Sequence, residues 1–130
     1  MKSFIKQRLR ETINASDAHT DVGSIQTIID GRRNIAFISL PNSELMDIIK
    51  KNDLGVIKVE QNDYETYIIY RKGAENEAKE LLNIANKYGG YLSYEAEDDE
   101  IRRIGQLLNY KSSDVEEYII MNNRNKNNDK

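Results

Sequence analysis

The 130-residue sequence contains no cysteine and no tryptophan, and it has a single proline and a single histidine. Without cysteine there can be no disulfide, no thiolate nucleophile and no sulfur-ligated zinc or iron–sulfur centre. The apolar residues come in short runs, none near the ~20 that a membrane-spanning helix needs. The start, Met1-Lys2-Ser3-Phe4, has no apolar stretch of the kind a secretory signal carries, so a cytoplasmic protein is expected. An excess of one charge is also missing: 19 Lys and Arg stand against 22 Asp and Glu, giving a net charge of −3 with the signs interleaved. A binder of nucleic-acid polymer concentrates basic residues on one face, so no such partner is expected. A small phosphorylated ligand needs only a few well-placed arginines and stays open.

Recognisable catalytic patterns are absent too. There is no G-x-S-x-G elbow and no glycine-rich nucleotide loop of the G-x-x-x-x-G-K-[ST] or G-x-G-x-x-G kind. His19 stands between Asp17 and Asp21 in a polar stretch where no helical or hairpin spacing would fix a metal, so none is expected. Asp98, Asp99 and Glu100 open a helix, where carboxylates favour the macrodipole in any case. The expectation is a binding protein with no catalytic residue and no cofactor, not an enzyme.

What is present is enough for one α+β domain over residues 1–121, with a polar tail at 122–130 expected to be disordered. Residues 3–14 read as an amphipathic helix with Ile5, Leu9 and Ile13 on one face, followed by a polar loop to Gly23. Gly23 to Asp30 alternates (Ile25, Thr27, Ile29) and predicts a strand. Asp30-Gly31 then predicts a tight hairpin turn into a second strand, Asn34 to Leu40. Asn42 or Ser43 caps a helix carrying Leu45, Met46, Ile48 and Ile49. Val56 to Gln61 alternates with Ile57 and Val59 inward; Asn62-Asp63 turns the chain. Thr66 to Arg71 is continuously apolar enough for a central strand buried on both faces. Glu75 to Lys87 forms a helix with Ala78, Leu81, Leu82 and Ala85 inward, closed by Gly89 or Gly90 at positive φ. Asp98 to Leu108 is a further helix, and Ser112 or Ser113 caps a last one with Val115, Tyr118 and Ile119 inward. The order α-ββ-α-ββ-α-α-α gives an antiparallel sheet of two hairpins with helices packed against it.

The chemistry left is recognition by arginines, aromatics and amides. Arginine forks match phosphate oxygens, aromatic faces stack on planar rings and amides hydrogen-bond bases or sugars. The leading candidates are Arg102, Arg103, Tyr91 and Asn86, around the Gly89-Gly90 turn, with Arg32, Arg33, Arg71 and Ser93 behind them. Arg102 and Arg103 lie about 100° apart on a helix, so at most one can face a given pocket. Phe37 is expected in the core.

The runs Gly23-Ser-Ile-Gln-Thr-Ile-Ile-Asp30, Asn34-Ile-Ala-Phe-Ile-Ser-Leu-Pro41, Gly89-Gly-Tyr-Leu-Ser93, Glu100-Ile-Arg-Arg-Ile-Gly105, Leu108-Asn-Tyr110 and Asp114-Val-Glu-Glu-Tyr118 are similar to small phage proteins. They resemble in particular the Thoeris anti-defence 1 family, over residues 1 to about 120. The resemblance implies a sponge in the host cell cytoplasm that binds a cyclic ADP-ribose-type signal made by TIR-domain enzymes, unaltered, so that the immune effector stays off. It implies homo-oligomers with pockets between subunits, an aromatic on the adenine, arginines on the pyrophosphate and polar groups on the ribose. The alternative is a phage protein that inhibits a host protein by direct contact, for which the acidic run Glu97-Asp98-Asp99-Glu100 matters more than the arginines.

Overall fold

The most β-prone run, Thr66 to Tyr70, is the strand on which the rest is built. A computed structural model describes residues 21–39, 42–61, 65–92 and 95–128, with backbone only at 21–24 and 125–128. In chain order the elements are α1 (Asp21–Ile29), β1 (Ile35–Ser39), α2 (Ser43–Lys51), β2 (Gly55–Val59), β3 (Thr66–Tyr70), α3 (Glu75–Asn86), α4 (Asp98–Leu107) and α5 (Ser112–Asn128). The expected helix over 3–14, His19, the turn at Asn62-Asp63 and Ser93 lie outside the described residues.

The fold is α+β, as the pattern of elements requires, with an antiparallel sheet of three strands in the order β1-β3-β2. β3 takes the centre because both its faces are apolar. Ile68 joins Ile35, Phe37 and Val59 in a core under α3, α4 and α5, while Ile69 joins Ala36 and Ile38 in a second core under α1 and α2. Fully burying one such isoleucine is worth about 1.5–3 kcal/mol. β2 is covered on one face only: Ile57 and Val59 turn inward, Val56 and Lys58 outward.

One expected strand is a helix. Gly23 to Asp30 lies in and just beyond α1, and the Asp30-Gly31 hairpin does not form; β1 pairs instead with β3, Ile35 opposite Tyr70. The two readings share their signals. Ile25, Thr27 and Ile29 alternate, but Ile25, Ile28 and Ile29 also fit i, i+3, i+4, and Ile25 and Ile28 are both 1% exposed. Gly31 has the positive φ (76°) a hairpin would use, yet it serves to close a helix: Arg32 N–H donates to Thr27 O (2.9 Å) and Gly31 N–H to Ile28 O (3.0 Å). The sheet therefore has three strands where two hairpins predicted four.

The same ending recurs. α3 closes with Gly89 at φ 75° and Gly90 N–H donating to Ala85 O, as expected; α2 and α4 close with Asp53 (φ 53°) and Asn109 (φ 60°) in the glycine position. At the other end of the molecule, α5 does not stop where its sequence turns polar. It runs to Asn128, with Asn122 buried and Asn123 Nδ2 donating to Asp98 (3.2 Å), so residues 122–128 are helical where a disordered tail was expected. Among the described residues no helix is long and apolar enough to cross a membrane.

Candidate functional site

Three turns meet at one end of the sheet. The helix end at Asp30–Asn34 leads into β1, Arg71–Ala74 joins β3 to α3, and Leu107–Lys111 joins α4 to α5. Antiparallel pairing sets the first two side by side, with Arg71 N–H donating to Asn34 O at 3.0 Å. The third is tied to the first in both directions: Arg33 Nη1 donates to Leu108 O (3.3 Å), and Asn109 Nδ2 donates to Arg32 O (2.8 Å). Arg33 is buried by this arrangement. The Arg71 guanidinium lies over Gly31, with Nη1 3.6 Å from where a Cβ would stand.

The junction carries three arginines together with the carboxylates of Asp30 and, in the first turn of α3, of Glu75 and Glu77. Among the described residues Arg71 has no carboxylate partner. Arg32 meets Asp30 at 3.4 Å with both side chains about half exposed (52% and 42%), a pairing worth little in water. Behind Arg71, Gly73 has φ 102° with open space where a side chain would be. α3 then begins at Glu75 with Ala74 in the cap position, so its first backbone N–H groups are unclaimed by a capping side chain. A cavity of about 220 Å³ adjoins this end, lined by Asn34, Ile35, Glu77, Arg103, Gln106 and Leu107. It offers carboxylate and amide groups suited to hydroxyls.

The eight sequence candidates divide. Arg32, Arg33 and Arg71 come together here, and Arg103 reaches the cavity wall. Arg103 is held by Glu80 (Nη2 to Oε1, 2.8 Å) and by Gln106 Oε1 (3.0 Å). The Arg103 hydrogen bond holds the Glu80 carboxyl below its ordinary value. Arg102 faces the other way, as its position on the helix demands. It grips Glu116 of α5 with two hydrogen bonds (2.8 and 3.0 Å) and Asp99 with a third (3.0 Å), so it is no part of the junction. Asn86 and Tyr91 belong to the opposite end of α3, so they do not join the arginines as expected. Asn86 Oδ1 is buried with no hydrogen-bond partner.

That opposite end is organised around Glu100. It accepts from Lys87 Nζ (2.5 Å), from the Tyr88 hydroxyl and from the Glu97 backbone N–H (3.0 Å), the last completing a capping box at the head of α4. Burial pushes Glu100 up, but the bonds from Lys87 and Tyr88 outweigh it and hold it below the usual value. Tyr88 is pushed up to about 12 by its bond to the Glu100 carboxylate and by burial. Beside it an acidic cleft of about 460 Å³ is lined by Glu95, Ala96, Glu97, Asp98, Asp99, Arg102 and Asn123.

Sequence reasoning missed Gly73, the uncapped start of α3, and Asn109. A visible signal existed for two of them. Gly73-Ala74-Glu75 opens a helix with no Ser, Thr, Asp or Asn at the cap, and Asn109 follows an apolar helix end.

No family model matches the chain, and no curated protein does. Among solved structures the chain is similar to the bacterial cysteine methyltransferase effector NleE, with 24% identity, a TM-score of 0.64 and 85% of this chain covered. The match takes in 64% of that structure's own length, and at this identity it carries the fold alone. It corrects the expectation that this chain is not an enzyme: the fold is one that a methyltransferase uses, so missing sequence motifs give no ground for excluding catalysis. The described part of the chain is an α+β domain with an architecture shared by a bacterial effector.

Proposed function

We propose that this chain binds a nucleotide-type ligand, of the cyclic ADP-ribose class that its resemblance to the Thoeris anti-defence 1 family implies, at the junction of the three turns. In a phage-infected cell such binding would sequester the signal in the cytoplasm. The observation that carries the reading is the uncapped start of α3 immediately behind Arg71, a guanidinium with no carboxylate partner among the described residues. Backbone N–H groups at a helix start and the positive end of its dipole favour a phosphate, and an arginine fork beside them adds two directed, charge-assisted bonds. Asn34, Glu77 and Gln106 on the cavity wall suit ribose hydroxyls. A cavity of about 220 Å³ holds a sugar or a phosphate but not a whole dinucleotide, which fits the expectation that a second subunit completes the pocket.

The test is binding followed by recovery. Purified protein is titrated with cyclic ADP-ribose isomers by calorimetry, then heat-denatured, and the supernatant is analysed. Tight binding that weakens about tenfold in Arg71→Ala, the scale of one charge-assisted hydrogen bond, supports the reading. The recovered compound, intact or changed, tells sequestration from turnover. No binding to any isomer sinks it.

One observation favours the direct-contact alternative: both α4 arginines, Arg102 and Arg103, are engaged internally, while Asp99 on the rim of the acidic cleft is 95% exposed. That reading predicts a stoichiometric complex with a basic host protein, dissociated by salt and by Asp99→Lys, with no nucleotide bound.

A further inference from the structure

α5 buries one side and leaves the other bare. Val115, Tyr118, Ile119 and Asn122 are buried against the rest of the chain. At about 100° per residue, Glu117, Ile120, Met121 and Arg124 fall within about 100° of one another on the opposite side. Ile120 is 59% exposed, more than any other large apolar side chain among the described residues. Met121 beside it is partly exposed, and Glu117 and Arg124 are exposed. The flanking polar residues of α5 are taken up within the chain, Glu116 by Arg102 and Asn123 by Asp98. Among the described residues neither the Glu117 nor the Arg124 side chain has an ion-pair partner. They cannot serve each other, because seven residues of helix hold them about 10.5 Å apart along its axis. Their neighbours three and four residues away on α5 carry no opposite charge.

We infer that this face of α5 docks on α5 of a second copy of the chain, the two helices antiparallel about a twofold axis between Ile120 and Met121. Such an axis sets Glu117 opposite Arg124 of the partner subunit, and by symmetry Arg124 opposite Glu117 of the partner subunit. Ile120 then lies opposite Met121 of the partner subunit, so an apolar centre is closed at each end by an ion pair. The charges select the direction. A parallel pair in register would set Glu117 beside Glu117 and Arg124 beside Arg124, like against like. One pair of helices buries less than the roughly 1,200 Å² of a standard stable interface, so the dimer is weak and concentration-dependent. The contact takes no residue from the junction of the three turns and stands whether or not a nucleotide binds there.

The test is sedimentation equilibrium of the full chain from about 10 µM to about 1 mM, with circular dichroism and thermal melting of each variant in parallel. The wild type is expected to dimerise over this range. Ile120→Ser removes the apolar centre, and Glu117→Lys and Arg124→Glu each set like charges against one another at both ends of the contact. Each of the three is expected to weaken association about tenfold or more while leaving the fold intact, because the residues changed are exposed. An equimolar mixture of Glu117→Lys and Arg124→Glu is expected to associate again, since each supplies the charge the other has lost. A folding defect cannot produce that rescue. A wild type that stays monomeric to about 1 mM would overturn the inference. So would association unchanged in Ile120→Ser, which places the contact elsewhere, or a mixture that associates no more tightly than its two components alone.

Discussion

Gly105, in the middle of α4, is where general helix propensity and this particular packing disagree about sign. Gly-to-Ala inside a helix should stabilise by about 1 kcal/mol, because alanine loses less backbone entropy. Here a Cβ on Gly105 would stand 2.6 Å from Val115 Cγ2, with two more Val115 atoms at 3.5 and 3.6 Å. Val115 is 3% exposed in α5, and a β-branched side chain in a helix has one strongly preferred rotamer, so it cannot swing away. Relief must come from moving one helix against the other, which typically costs about 1–3 kcal/mol in a packed core. The packing term wins, and Gly105→Ala is expected to destabilise by about 1 kcal/mol net, or about 3–5 °C in melting temperature for a domain of this size. Val115→Ala alone should cost about 2 kcal/mol for the buried methyls. Gly105→Ala/Val115→Ala should then be more stable than Val115→Ala, since the added methyl fills vacated space and the helix gains its propensity. Urea unfolding followed by circular dichroism measures all the corners of this cycle. A stabilised Gly105→Ala, or strictly additive effects, would refute the α4–α5 contact as drawn.

Further expectations concern the ends of the helices. Asn42 caps α2 by accepting from Leu45 N–H at 2.8 Å, so Asn42→Ala should cost about 1 kcal/mol in chemical denaturation and Asn42→Ser little. Gly31→Ala places a Cβ in ordinary contact with Arg71 but at φ 76°, so a loss of about 1–2 kcal/mol is expected from backbone strain alone, and Gly31→Asn should lose less. Tyr88 should ionise near 12 in a titration followed at 295 nm, and Glu100→Gln should bring it back toward 10. Because the folded state raises this pKa, its contribution to stability is complete below about pH 10 and is lost as pH rises toward 12. A titration with no tyrosine ionising near 12, or a high-pH step unchanged in Glu100→Gln, would contradict the Tyr88–Glu100 bond.

Most of the elements were legible because their signals are local and agree with one another. Val56 to Val59 alternates cleanly. Thr66 to Tyr70 is too apolar for one face, and α3 carries its apolar stripe with the Glu75–Lys79 pair at 3.1 Å on the exposed side. The Gly89-Gly90 ending of α3 was equally plain. Asp30-Gly31 was not, since a positive φ is demanded alike by a hairpin turn and by a helix end. The choice fell to the second core, where Ile25 and Ile28 fill space beside Ile38 and Ile69. The tail misled for a related reason: Asn122 is polar but sits against folded chain, and Asn123 has Asp98 to bind.

For the candidate site, the residue types and the angular argument separating Arg102 from Arg103 came from sequence alone. Which arginines remain available was decided by the tertiary structure. Glu80 and Glu116 come from other helices to occupy Arg103 and Arg102, whereas no described carboxylate reaches Arg71. Turns separated by more than seventy residues are joined through Arg33 and Asn109. Sequence periodicity reports which face of an element is apolar, because burial repeats with the element's own geometry. It carries no record of which distant polar group will stand opposite, because that depends on how the elements pack.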